Sequence, residues 1–101
     1  MKIKDCFKEK KVFGQYIMTP YGVRANSVAG PIRLNQSGYD IWCWIKEGLE
    51  EDEIVKKYGE KHKFDERKAY NDVHGLIRQF YNAGAIDGDV DWQHENLKDI
   101  K

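Results

Sequence analysis

Cysteine is scarce in this chain. Cys6 and Cys43 are the only two, with no Cys-x-x-Cys spacing, which argues against a zinc knuckle or a redox dithiol. Cys43, set between Trp42 and Trp44, reads as a packed thiol. Neither charge sign is in excess: Lys+Arg and Asp+Glu number 17 each. A protein that neutralises phosphates needs a basic face, so nucleic acid is not expected as a partner. The lysines near the start (Lys2, Lys4, Lys8, Lys10, Lys11) are interrupted by Asp5 and Glu9. No apolar run approaches the roughly 18 residues of a membrane helix, and no signal-peptide core is present. No membrane partner and a cytoplasmic location are therefore expected. Asn35-Gln36-Ser37 has the form of a glycosylation sequon, which means nothing without a secretory signal. His62, His74 and His94 lack metal-ligand spacing, and no Ser/His/Asp set, phosphate loop or paired acid and base is readable. No catalytic residue, metal or cofactor is expected.

What is present suits one small domain: 101 residues, 41% hydrophobic and 34% charged. Lys11–Phe13 and Tyr16–Thr19 flank Gly14-Gln15, the pattern of a hairpin with a II′ turn, and Pro20 ends the second strand. A loop rich in Gly, Asn and Ser leads to Pro31. There Ile32 and Leu34 alternate with Arg33 as a third short strand, and Asn35 follows as a helix N-cap.

The period then changes. Gly38, Ile41, Trp42 and Ile45 form one helical stripe, stopped by Gly48. Glu50–Glu53 places negative charge at the start of a second helix, whose inner face is Ile54, Val55 and Tyr58. Gly59, which costs about 1 kcal/mol relative to alanine, predicts that this helix is short. Asp65 caps a third helix with Ala69, Val73, Leu76, Ile77 and Phe80 on its core face, ended by Gly84, and Ala85-Ile86 reads as a short return that buries Ile86. Strands segregated from helices give an α+β domain: a small three-stranded antiparallel sheet followed by three helices. Residues 1–10 read as an N-terminal extension and 11–87 as the domain. Residues 88–101 read as a polar tail, either disordered or a weak helix carrying Trp92, Leu97 and Ile100.

The ordered set from Pro31-Ile32-Arg33-Leu34-Asn35 through Ser37-Gly38 to Ile41-Trp42, then Glu53-Ile54-Val55, then Asp72-Val73 with Leu76, Phe80, Gly84 and Ile86, resembles the PqqD-like family. Tyr16–Pro20 is similar to that family's second strand. The likeness covers about Lys11 to Asp87. Glu50 stands where the family caps its second helix with Thr or Ser, and Tyr58 and His62 stand where it tends to have Leu and Tyr. The resemblance implies a winged helix-turn-helix-like, non-catalytic recognition element for ribosomally synthesised, modified peptides. Such an element holds the leader segment of a precursor peptide and presents it to a modifying enzyme, often a radical S-adenosylmethionine maturase. It implies that the leader adds as a strand to the third strand and lies against the third helix.

Carried onto this chain, the peptide-binding candidates are Ala29, Gly30, Ile32, Arg33 and Leu34 on the strand side. On the helix side, Tyr70, His74, Ile77 and Tyr81 recur as a stripe that either lines the groove or merely flanks the core. Arg67 and Arg78 either pair with acidic leader residues or are simply solvated. Asp72, a poor helix former, is expected to accept a backbone N–H or to pair with a basic residue of another helix. Trp42 and Trp44 cannot share one helix face, so one is core and the other more exposed. A winged-helix DNA binder and a general interaction domain are the competing readings. The first needs a basic third helix, but Arg67, Lys68 and Arg78 are balanced by Asp65, Glu66 and Asp72.

Overall fold

The computed structural model describes residues 1–87, so the tail expected around Trp92, Leu97 and Ile100 lies outside the described residues. The elements are β1 (Lys2–Ile3), β2 (Phe7–Val12), β3 (Gln15–Pro20), a 3-10 turn (Val23–Ser27), β4 (Ile32–Leu34), α1 (Gln36–Lys46), α2 (Glu51–His62), α3 (Glu66–Asn82) and β5 (Ile86–Asp87). A three-stranded antiparallel sheet, ordered β2-β3-β4, is followed by three helices, as the α+β expectation requires. The return segment does bury Ile86, and it also pairs with β1 as a second, two-stranded sheet. The first ten residues, expected as an extension, carry β1 and most of β2.

The hairpin turn falls one residue earlier than the sequence suggests. Phe13 and Gly14 form it, with φ of +51° and +77°, while Gln15 joins the ladder opposite Val12. Two left-handed residues make a type I′ turn, whose twist suits a right-twisted hairpin, in place of the expected II′ turn on Gly14-Gln15. A two-residue loop makes Val12 and Gln15 a hydrogen-bonded pair, and such pairs then alternate along the ladder. The β3 residues whose amides face β4 are therefore Tyr16 and Met18, which stand opposite Leu34 and Ile32. The backbone N–H and C=O of Arg33 are left pointing to the free edge of the sheet.

The helices are set by their caps. The Asn35 side chain accepts from the Gly38 N–H at 2.9 Å, and Asp65 accepts from the Lys68 N–H at 2.8 Å. At α2 the Glu50 N–H donates to the Glu53 carboxylate at 3.2 Å. Gly59 does not shorten α2, which runs to His62 and closes on Lys63 in the left-handed region. A Cβ at Gly59 would lie 3.3 Å from both the Ala69 Cβ and the Phe64 carbonyl oxygen, so this glycine is where α2 and α3 meet. At the end of α3, a Cβ on Gly84 would collide with the Ser27 carbonyl oxygen. There the helix end touches the 3-10 turn, and the Ala29 N–H donates to the Ala83 carbonyl at 2.8 Å.

Between sheet and helices lie Met18, Leu34, Ile41, Ile45, Ile54, Val73, Ile77 and Phe80, all nearly inaccessible. Trp42 is the core tryptophan, edge-on to Phe7 and Phe80 with ring centroids 5.1 and 5.2 Å away; Trp44 is half-buried at the rim. Cys43 is a free, half-buried thiol whose pKa burial pushes up, as befits a packed rather than reactive cysteine.

Glu9 ties the hairpin to α1. Its carboxylate reaches from β2 over the helix, where it accepts from the Trp42 indole N–H at 3.0 Å and the Tyr39 hydroxyl at 2.9 Å and pairs with Lys46. Desolvation alone would raise its pKa. The bonds from Lys46, Trp42 and Tyr39, with the Lys46 charge, outweigh that and hold it below the ordinary value of 4.5. A carboxyl depressed in the folded state stabilises the fold above its unfolded pKa, and that stability is lost as pH falls through the folded value. Glu9→Gln should cost about 1.5–3 kcal/mol in urea unfolding at pH 7. The variant's stability should also fall less than the wild type's on acidification below the ordinary value of 4.5.

Candidate functional site

Three features converge on one side of the molecule. The first is the free edge of β4, where β3 occupies only one flank and no other strand pairs among the described residues. The second is the short crossover from β4 into α1, tightened by Gly38, where a Cβ would lie 3.2 Å from a Leu34 methyl. The third is the face of α3 that looks back at the sheet. Together they enclose an open groove of about 590 Å³. Arg33 and Leu34 stand on its strand side, Ser37, Gly38 and Ile41 at its α1 end, and Asn71, Asp72, Gly75, Leu76 and Gln79 along α3.

Asp72 is structurally committed. Its Oδ2 accepts from the Tyr58 hydroxyl at 3.0 Å, across to α2, and from Lys68 of its own helix at 3.1 Å. The partner from another helix is thus a tyrosine, and the basic partner is one turn away in α3. Burial first, then the bond to Asp72, pushes the Tyr58 hydroxyl above its ordinary pKa. The Asp72 carboxylate is in this way tied to α2 through Tyr58 and to its own helix through Lys68.

The candidates from sequence separate into distinct places. Arg33 and Leu34 line the groove; Ile32 packs at the core margin of β4. Ala29 and Gly30 lie outside β4, and the Ala29 amide is already bonded to Ala83. On α3 the expected stripe is turned away. Ile77 is 1% exposed and belongs to the core. His74 bonds Glu51 of α2 at 3.2 Å and stacks on Tyr70. Tyr70 and Arg67 border a separate depression between α2 and α3. Tyr81 packs against the core cluster, and Arg78 is exposed without lining the groove. Sequence reasoning missed the wall that does face the strand: Asn71, Asp72, Gly75, Leu76 and Gln79. The available signal was a second i, i+3, i+4, i+7 series, at 72, 75, 76 and 79, on the other flank of the core stripe.

This arrangement can hold an extended chain: unpaired backbone groups along one side, and a shallow wall of mixed polarity on the other. Among the described residues no three His, Cys, Asp or Glu side chains gather as a metal site, and no helix is long and apolar enough to cross a membrane. Because Ile77 is core, Ile77→Ala should destabilise the fold by about 2–5 kcal/mol in chemical denaturation. Any loss of peptide binding by that variant should track its unfolded fraction.

Comparison with known proteins places the architecture. Among solved structures, the chain is similar to "TbiB1 in Complex with the TbiA(beta) Leader Peptide", with a TM-score of 0.73 and 21% identity, covering 90% of this chain and 100% of that one. At that identity the likeness is one of fold. No curated protein sequence matches. The family model for "Coenzyme PQQ synthesis protein D (PqqD)" matches residues 25–86, a segment that holds β4, all three helices and nearly every groove residue. That is more than half of the chain, and the chain belongs to the PqqD family.

Proposed function

We propose that this domain binds the leader segment of a ribosomally made precursor peptide by strand addition to β4, against α3, and presents the peptide to a separate modifying enzyme. The observation that carries the reading is the free β4 edge, with the Arg33 N–H and C=O directed outward, beside a groove roomy enough for alternate side chains. Ladder bonds give affinity that is indifferent to sequence, while pockets for every second side chain give selectivity. Membership of the PqqD family and the fold shared with TbiB1, solved with a leader peptide, support the same reading.

On this reading the domain is a binding module and not a catalyst, and it works in the cytoplasm. Its partner enzyme is a radical S-adenosylmethionine maturase. A disordered leader loses about 2–5 kcal/mol in ordering itself, so micromolar affinity, near −8 kcal/mol, is the expected outcome. Binding of that strength lets the modified product leave.

The test uses the leader of a precursor peptide from the same genomic neighbourhood. In an amide NMR titration, shifts should concentrate on Ile32–Leu34 and on the 71–79 face of α3. Arg33→Pro removes an N–H that the internal ladder does not use, so circular dichroism should report an intact fold while leader affinity falls by tenfold or more, about 1.4 kcal/mol. A folded Arg33→Pro variant that binds normally would rule out strand addition at β4.

A further inference from the structure

The outward face of the three-stranded sheet carries one sign of charge. Lys8 and Lys10 of β2 and Arg33 of β4 lie on it, all exposed, with Ile17 between Lys10 and Arg33 in one cross-strand row. Glu9 is the one acid in β2, β3 and β4, and it is turned to the opposite face, committed to Trp42, Tyr39 and Lys46. The acid that interrupts these lysines in sequence is thereby removed from them in space. Lys8 leans over the Tyr21 ring, 5.4 Å from its centroid. The side chains of Lys10 and Arg33 have no hydrogen-bond or ion-pair partner among the described residues. Lys8 and Lys10 are two residues apart on one strand, about 7 Å, and Lys10 and Arg33 are two strands apart, about 9.5 Å. Those spacings are comparable to the Debye length, so the cations repel one another. At Lys10 and Arg33 no contact within the fold offsets that repulsion.

Arg33 also sits at the free edge. Its backbone N–H and C=O point off the sheet, so a residue of an added antiparallel strand that bonds to both stands directly opposite it, with Cα atoms about 5.5 Å apart. Side chains of directly opposed residues share a face. Ile32 and Leu34 send theirs toward the helices, so Arg33 and the residue opposite it project outward, away from the groove. We propose that the leader residue paired with Arg33 is acidic, its carboxylate engaging the Arg33 guanidinium on the open face of the sheet, in the field of Lys10. A guanidinium offers a carboxylate two parallel N–H donors, which fixes position as well as charge. A slip of one residue would carry the acid to the groove side, toward the wall that holds Asp72, so the pair also sets the register of the peptide. The inference rests on the leader-binding reading above and adds to it the charge of one leader position.

The test does not require the natural leader. A displayed library of random twelve-residue peptides is selected on the full-length protein at low salt, and the enriched consensus peptide is then measured by fluorescence anisotropy. Selection on the wild type should enrich Asp or Glu at one fixed position. Arg33→Gln keeps the backbone N–H and removes only the charge. It should weaken the consensus peptide about two- to fivefold, the scale of an exposed cross-strand pair, and so less than Arg33→Pro does. Arg33→Glu should weaken it about tenfold or more, and a peptide with Lys at the selected position should bind Arg33→Glu better than the consensus does. Moving the acid one residue along the peptide should remove its benefit. Both substitutions relieve repulsion from Lys10, so neither should lower the thermal midpoint. Unchanged affinity for Arg33→Gln and Arg33→Glu, an acid-free consensus, or equal binding of the peptide with the shifted acid would overturn the acidic position while leaving strand addition standing, provided Arg33→Pro still weakens binding tenfold or more. A lowered midpoint in both variants would mean that Arg33 serves the fold and would also overturn it. If Arg33→Pro binds normally, or the selection enriches nothing, the leader-binding reading fails and the acidic position fails with it.

Discussion

The phase of one hairpin governs the rest of this molecule. Because Phe13 and Gly14 alone make the turn, Val12 and Gln15 are locked as a hydrogen-bonded pair, and every later backbone group on β3 and β4 takes its direction from that pairing. The same phase decides the side chains. Phe7, Glu9, Met18 and Leu34 face the helices, while Lys8, Lys10, Ile17 and Arg33 face outward. A slip of one residue would exchange the two faces. The slip is resisted because Glu9 would then lose Trp42, Tyr39 and Lys46, and Lys8 or Lys10 would be brought against α1 in its place. Turn geometry and one triply bonded carboxylate thus enforce the same register from opposite ends.

Much of this is legible in the sequence because it rests on short-range rules. Asn35 and Asp65 cap helices as their side-chain chemistry requires, Gly48 and Gly84 stop helices in the left-handed conformation, and the core stripe of α3 follows the helical period. The turn at Phe13-Gly14 is not legible, since an aromatic residue at positive φ runs against local preference and is tolerated only because the strands on either side demand it. Nor is Glu9. Within Lys8-Glu9-Lys10-Lys11 it looks like one charge among several, and its role exists only once α1 is packed over the sheet.

The groove side of α3 escapes the sequence for a related reason. A core stripe has two flanks, and periodicity treats them alike. One flank carries Tyr70 and His74, the other Asp72, Gly75 and Gln79; which of them meets the strand is decided by how α2 crosses α3. That crossing depends on the close approach at Gly59 and Ala69 and on the bonds Glu51–His74 and Tyr58–Asp72. None of these contacts is local in sequence. The aromatic flank draws the eye because aromatic residues are conspicuous, whereas the flank that lines the groove offers a glycine, two amides, an aspartate and one leucine.

The brevity of β4 bears on solubility as well as recognition. An open sheet edge is a standing invitation to other chains, including copies of itself. Here the edge is three residues long, opens just after Pro31, which has no N–H to offer, and ends where Asn35 turns the chain into α1. Two copies meeting edge to edge would share few backbone bonds, and the outward cations of Arg33 would face each other across the seam. On the leader-binding reading, a peptide on so short an edge must draw most of its grip from the neighbouring helix wall, so the same shortness that discourages self-assembly would also make binding there selective.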